Sequence, residues 1–411
     1  DQQGTLYSEP IEPEFTPEEA QEVADKIGID FSTADFELED FRMGMDEELE
    51  HGTHDPQTDV TGDDPVATGK IALAHLKEFG DELIKHGSDY RLVIDTDIYA
   101  GFPSRKIRNW FDTKKKFSNL ISDFKPDLVF LDRQTRFGLA TVDAKIPLLV
   151  HLRGDYWSEI KWAKETLYKD PIKRFAINYK NKIAEKCFKE STMILPICKY
   201  LKTITDKHYP DKSNVLYQGI DSTRWHEEEG MKLKHPCVGL LQDAKIWGKT
   251  KEMLILKKVL KAKPNIFFYW AGDGPYRDEI LKELNQFDNF KWLGSLEYPN
   301  KVRQFLSEID IYALITGIDM SPLTLQEAQL MKKPTIATNV GGVSELMQDN
   351  KTGFLVEKGN AEQIIEKLEI FLNDSTLVNK MGKEARDFVE NKFTWDKICD
   401  EFLNFTKPML K

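Results

Sequence analysis

From residue 91 onward, short apolar runs of strand length alternate with amphipathic stretches of helical spacing, and few architectures other than a parallel α/β fold accommodate that rhythm. A first set reads "RLVID", "DLVFLD", "PLLVHL", "TMILPI" and "NVLYQG". A second reads "CVGLLQD", "IFFYWAG", "FKWLG", "IDIYALIT", "PTIATN" and "GFLVE". The polar stretch "GIDSTRWHEEEGMKLKHP" between them interrupts the alternation and marks a hinge. Two doubly wound domains in tandem follow, at 89–222 and 223–392, with a last helical segment at 393–411 expected to return to the first of them. Neither carries a GxGxxG fingerprint, so the ligand is expected in the cleft between domains, at the C-terminal ends of the strands.

Charge divides the chain elsewhere. The whole sequence of 411 residues carries −12, but residues 1–90 hold 5 Lys and Arg against 25 Asp and Glu, or −20. Residues 91–200 hold 22 basic and 13 acidic residues, or +9. The acidic part opens with Thr16 and Pro17 placed as a helix start and continues with helical spacing, so residues 1–88 are expected to form a small all-α domain. Its stretch "FRMGMDEELEHGTHDPQTDVTGDDPVATGKIALAHLKEF" resembles a small helical family of unassigned function. His51, His54, Asp55 and His75, with Glu48, have no regular metal-ligand spacing and suit turns and helix caps. Four cysteines without a CxxC pair point to buried free thiols and a reducing compartment. With no apolar run long enough to span a membrane and no basic leader, the chain reads as cytoplasmic.

The most informative stretch is "GIDMSPLTLQEAQLMKKPTIATNVGG", Gly317 to Gly342. It follows a buried strand, and Ser321 and Pro322 suit the N-cap and first position of a helix, leaving the amides of Leu323 and Thr324 free to bind an anion such as phosphate. Asp319 before the helix and Glu327 within it are acceptors for sugar hydroxyls flanking that phosphate.

That stretch, with "YQGID", "AGDGPYRDEI", "WLGSLEYPNKV" and "FTWDKI", resembles the retaining glycosyltransferases of GT-B architecture, the glycogen synthase-like and mannosyltransferase-like group. The resemblance covers about residues 91–411. It implies a metal-independent transfer of a hexose from a nucleoside-diphosphate sugar, the co-substrate rather than a cofactor, to a glycan or lipid-linked acceptor, with no nucleic acid partner. Asp319, Arg153 and Lys249 are implied in catalysis. Glu327, Ser321, Leu323, Thr324, Lys245, Gly272 and Leu296 are implied in donor binding, and Gly101, Arg105, His151 and Asp155 on the acceptor side. The sequence departs from the pattern at Asp319, where Glu is usual, at Pro322, where glycine is usual, at Leu240, where the diphosphate-binding Arg is usual, and at Arg153, which stands for a His. These departures keep open a catalytically silent sugar-nucleotide-binding protein on the same fold. The basic helical stretch from Ser104 to Lys125 also has two readings, a core-facing helix with a solvated charged side or a peripheral contact with an anionic membrane surface.

Overall fold

The computed structural model describes residues 65–94, 115–132, 136–166 and 171–410. Gly101, Arg105, Lys114 and the acidic segment before residue 65 lie outside the described residues. In chain order the main elements are α1 (Pro65–Lys85), α2 (Lys115–Phe124), β1 (Val129–Leu131), α3 (Arg136–Asp143), β2 (Leu148–Leu152), α4 (Tyr156–Thr166), α5 (Pro171–Glu190), β3 (Met193–Pro196) and α6 (Lys199–His208). After the linker come β4 (Cys237–Leu241), α7 (Trp247–Thr250), α8 (Leu256–Ala262), β5 (Phe267–Ala271), α9 (Arg277–Leu284), β6 (Phe290–Gly294) and α10 (Asn300–Glu308). The chain closes with β7 (Ile311–Leu314), α11 (Leu323–Leu330), β8 (Thr335–Thr338), β9 (Phe354–Val356), α12 (Ala361–Asn373), α13 (Ser375–Lys392) and α14 (Trp395–Thr406).

Among the described residues there are two all-parallel sheets, β1-β2-β3 and β6-β5-β4-β7-β8-β9. Every residue of β2, β4, β7 and β8 is buried, as expected for parallel strands covered by helices on both faces. All six strands expected in the second set form. In the first set, residues 91–94 of "RLVID" are not a strand. "NVLYQG" is extended beside β3, through Asn214 N–H to the Ile194 carbonyl (3.1 Å) and Leu216 N–H to the Pro196 carbonyl (3.0 Å). It never lengthens into a strand because the chain is drawn toward α14, where Ile220 N–H bonds the Phe393 carbonyl at 2.9 Å.

Helix α14 does return to the first sheet, and α1 packs with it there. Phe79 of α1 is buried between Phe130 (5.4 Å between ring centroids), Trp395 (5.6 Å) and Phe402 (5.1 Å). Trp395 Nε1–H donates to Glu78 (2.8 Å), and Glu78 also meets Arg224 of the linker (2.5 Å). The boundary expected at residue 88 from the charge pattern therefore falls just after a helix that shares the core of the first sheet. Helix α2 turns Phe117, Leu120 and Ile121 inward, with Phe117 stacked on Phe137 at 4.9 Å. These three residues are core, while Phe124 at the end of the helix is exposed. The four cysteines are buried free thiols, and no helix of the described residues is long and apolar enough to cross a membrane.

The two sheets meet over Gly342, where an added Cβ would lie 2.9 Å from the Cys198 side chain. Three residues on, Glu345 accepts hydrogen bonds from the amides of Lys199 and Tyr200 and from the Tyr217 hydroxyl, each at 2.8 Å. A carboxylate of the second domain thus satisfies the open N-terminus of α6 in the first.

Candidate active site

The loops that leave the C-terminal ends of β4, β5, β7 and β8 converge, as the doubly wound topology requires of a ligand site. The Gln242 side chain exchanges hydrogen bonds with the backbone of Ile315 (2.9 and 3.1 Å), and Gly317 N–H bonds the Lys249 carbonyl (2.9 Å). Two glycines make the approach possible. Gly272 has φ of 151° and no room for a side chain against the Gln242 carbonyl. Gly341, at φ of 55°, presses equally on the carbonyl of Asp319.

On this frame Asp319 is fixed from both sides: Oδ1 accepts from its neighbour Met320 N–H (2.8 Å), and Oδ2 meets Lys249 Nζ at 3.2 Å. Burial works against the charge of Lys249, but Asp319 and then Asp243 outweigh it and hold its pKa above the ordinary lysine value. Glu159, in the first turn of α4 in the other domain, adds to that effect. Lys245 is buried and close enough to lower the pKa of Asp243, which burial otherwise raises.

Helix α11 starts one residue later than the sequence suggests. Its N-cap is Pro322, not Ser321, and no side chain caps it. Pro322 holds extended backbone there. Ser321 Oγ is buried without a partner among the described residues. The amides of Leu323 and Thr324 belong to the first turn, which has no intrahelical acceptors for them. Thr324 instead engages its hydroxyl, which accepts from the Tyr312 hydroxyl at 2.8 Å. Glu327, one turn on, is 2% exposed. Burial pushes its carboxyl up to about 8, opposed by a hydrogen bond from Tyr298. Its Oε2 is buried without a partner among the described residues. Leu296 is half-buried on the Tyr298 loop.

Leu240 does not occupy a cleft position: it is wholly buried inside β4, in the core of the second sheet. Sequence reasoning missed Tyr298, Asp243 and Glu159. Tyr298 was within reach, since it lies in the quoted "WLGSLEYPNKV" at the end of a strand.

At the edge of the first sheet Asp132, at the end of β1, joins two residues expected on the acceptor side from the end of β2. Its Oδ1 lies 2.9 Å from His151 Nδ1 and 3.0 Å from Arg153 Nε. Asp155 accepts from the Ser158 amide (3.2 Å) and hydroxyl (2.5 Å), so it holds the start of α4. Among the described residues two clusters have metal-ligand chemistry, His235, Cys237 and Asp310 at the far end of β4, and Glu82, His86 and Asp396 between α1 and α14. Neither faces the cleft loops. His75, the described member of the irregular His group, is buried away from both.

Comparison with known proteins agrees with this geometry. Residues 248–388 match the family described as glycosyl transferases group 1, and residues 20–82 match a protein family of unknown function, DUF5661. An uncharacterized glycosyltransferase of Methanocaldococcus jannaschii is 25% identical over 211 residues, 50% of this chain and 57% of that protein. A capsular polysaccharide biosynthesis glycosyltransferase of Staphylococcus aureus is 31% identical over 139 residues, 32% of this chain and 37% of that protein. The chain thus spans little more than half, or less, of these relatives' lengths. Among solved structures, sucrose-phosphate synthase of Thermosynechococcus elongatus aligns with a TM-score of 0.63 at 13% identity, covering 88% of this chain and 97% of that one. HepE of Anabaena, solved in complex with UDP, aligns with a TM-score of 0.58 at 16% identity, covering 73% and 83%. The chain thus has the GT-B architecture, with a match to the group 1 glycosyltransferase domain over residues 248–388 and to the DUF5661 family over residues 20–82.

Proposed function

We propose that the chain is a retaining glycosyltransferase that moves a hexose from a nucleoside-diphosphate sugar to a hydroxyl of a glycan or lipid-linked acceptor. The observation that carries this reading is the convergence of the Lys249–Asp319 pair, the uncapped start of α11 and the buried Glu327 at one edge of the six-stranded sheet. Lys249 and the amides of Leu323 and Thr324 would hold the diphosphate, Asp319 the hexose hydroxyls and Glu327 the ribose hydroxyls. Ser321 and Lys245 line the same side, with Gly272 and Leu296 toward the base. HepE, solved with UDP, supports a nucleotide donor by analogy of fold.

In the reaction the bond from the hexose anomeric carbon to the diphosphate oxygen breaks, and the acceptor oxygen bonds that carbon from the same face. The acceptor proton passes to the departing diphosphate. Lys249 and the helix start stabilise the negative charge that grows on the leaving oxygen, with Arg153 assisting from the other domain. Because these groups supply the positive charge, the reading requires no metal. The acceptor would lie along the ends of β1 and β2, beside His151, and the basic side of the first domain would face an anionic membrane surface or lipid phosphate, at the cytoplasmic face.

Incubation with UDP- and GDP-hexoses, with release of nucleoside diphosphate and the anomeric configuration of the product read by NMR, tests the proposal. Diphosphate release that survives a chelator, with an α-linked product from an α-linked donor, is the expected result. Tight nucleotide-sugar binding without release would replace the transferase with a silent binding protein.

A further inference from the structure

Helix α1 ends the region that matches the family of unknown function, yet it is built into the wall of the first sheet. Between α1, α14 and the ends of β1 and β2 lies a cavity of about 20 Å³ whose lining includes His75, Phe130, His151, Arg153 and Gln218. That volume admits one water-sized oxygen.

Its chemistry is specific. A carboxylate only accepts, so His151 Nδ1, 2.9 Å from Asp132, carries the ring proton. Burial holds His151 below the ordinary histidine value, against Asp132, which raises it. The ring is 4% exposed, and Nε2 has no hydrogen bond of normal geometry among the described residues, although the Leu216 carbonyl lies beside the ring. Burial, then Arg153 and Arg224, push His75 down to about 4, so it is neutral. Asp132 balances the charge of Arg153 at 3.0 Å. What His151 Nε2 lacks is a partner of normal geometry, and a hydroxyl, which both donates and accepts, can pair with it in either tautomer.

The same helix reaches the hinge. Glu78, one turn beyond His75, pairs with Arg224 at 2.5 Å. The next residue, Trp225, lies 6.0 Å from Tyr298, the partner of Glu327.

We propose that α1 forms part of the substrate cleft and that His75 is a positioning residue which, with His151 and Gln218, holds one sugar-type hydroxyl of the acceptor at the C-terminal edge of the first sheet. This rests on the transferase reading and adds to it a residue from outside the glycosyltransferase fold.

The test uses the full chain with ¹⁵N-labelled histidine, titrated with methyl α-D-glucopyranoside and methyl α-D-mannopyranoside in the presence of UDP. The Nε2 resonance of His151 should shift saturably with at least one glycoside. His75→Ala should weaken that binding about tenfold, and His75→Gln, which keeps a hydrogen-bonding group, should restore most of it. In transfer assays with the same glycosides, His75→Ala should raise KM for the glycoside far more than it changes kcat. A His151 resonance that neither glycoside moves would mean that the cavity holds only water and would overturn the proposal. So would a loss confined to kcat, or a binding loss that His75→Gln shares in a folded protein. UDP binding by calorimetry separates the two ideas: a chain that binds no nucleotide while His151 still responds to glycoside loses the transferase reading and keeps the pocket.

Discussion

The two halves of the molecule solve the same problem by different means. In the second half, six strands and their loops bring Lys249, Asp319 and Glu327 together, and the loop contacts that do so lie within that one domain. In the first half three strands suffice among the described residues only because α1 and α14, more than 300 residues apart in sequence, share one core over them through Phe79, Phe130, Trp395 and Phe402. The cleft edge of the second sheet is specified locally and that of the first by long-range packing. Local specification can be read from sequence motifs, and long-range packing cannot.

The strongest way to break that contrast is to remove α1. The charge pattern alone predicts that a chain starting near Ser88 folds and turns over donor. The packing predicts the reverse, since truncating a buried phenylalanine such as Phe79 already costs about 3–5 kcal/mol. Phe79→Ala should lower the denaturant midpoint accordingly, and the truncated chain should not stay monodisperse. A stable, active truncation would show that the first sheet stands without the helix.

On the donor side the effect should fall on chemistry instead of folding. Lys249→Ala removes the cation at the leaving group, and turnover should fall about a hundred- to a thousandfold, the typical cost of one preorganised group at a developing charge. The denaturant midpoint is the control. Turnover within a few-fold of the parent would take Lys249 out of the reaction.

A smaller effect separates the halves by pH. Between the ordinary glutamate value of 4.5 and about 8, the folded chain keeps a proton on Glu327 that the unfolded chain has released. Folding stability should therefore fall as pH rises through that window, by up to about 1.4 kcal/mol per unit, and level off above it. Glu327→Gln should flatten this part of the profile. An equal decline in the variant would place the titrating group elsewhere.

The smallest effect concerns the basic side of the first half. With Phe117, Leu120 and Ile121 of α2 turned inward, the attraction of this helix to anionic vesicles rests on its charge, about 1 kcal/mol per basic residue near such a surface. Replacing Lys115 and Lys116 with Ser should reduce sedimentation with anionic vesicles at low salt, and added salt should reduce it for the parent. A parent chain that does not sediment at low salt favours a soluble acceptor.

Legibility from sequence follows the same division. Buried parallel strands announce themselves as unbroken apolar runs, and all six of the second sheet were readable. The start of α11 was readable to within one residue: Ser-Pro suggested an N-cap at Ser321, but Pro322 adopts extended backbone and takes that place. Asp319 and Glu327 stood out because both flank a single helix start. Tyr298 bonds Glu327 from 29 positions away, and nothing in its spacing signals the pair. In the first half, "RLVID" and "NVLYQG" have strand composition but not strand surroundings, and no local pattern could show that Asp132 holds both His151 and Arg153. His75 lines the cavity at the edge of the first sheet, and Glu345 meets the start of α6. Their partners lie more than 70 positions away.

In the proposed function the cleft edge of the second sheet holds a nucleotide through Glu327. Calorimetric titration of the full chain with UDP and with GDP, for the parent and for Glu327→Ala, tests it most directly. Two hydrogen bonds between the Glu327 carboxyl and the ribose hydroxyls, each worth about 0.5–1.5 kcal/mol, mean that one of the two nucleotides should bind the parent and lose about five- to a hundredfold in affinity with the variant. Equal affinity in parent and variant, or no binding of either nucleotide to the parent, would contradict it.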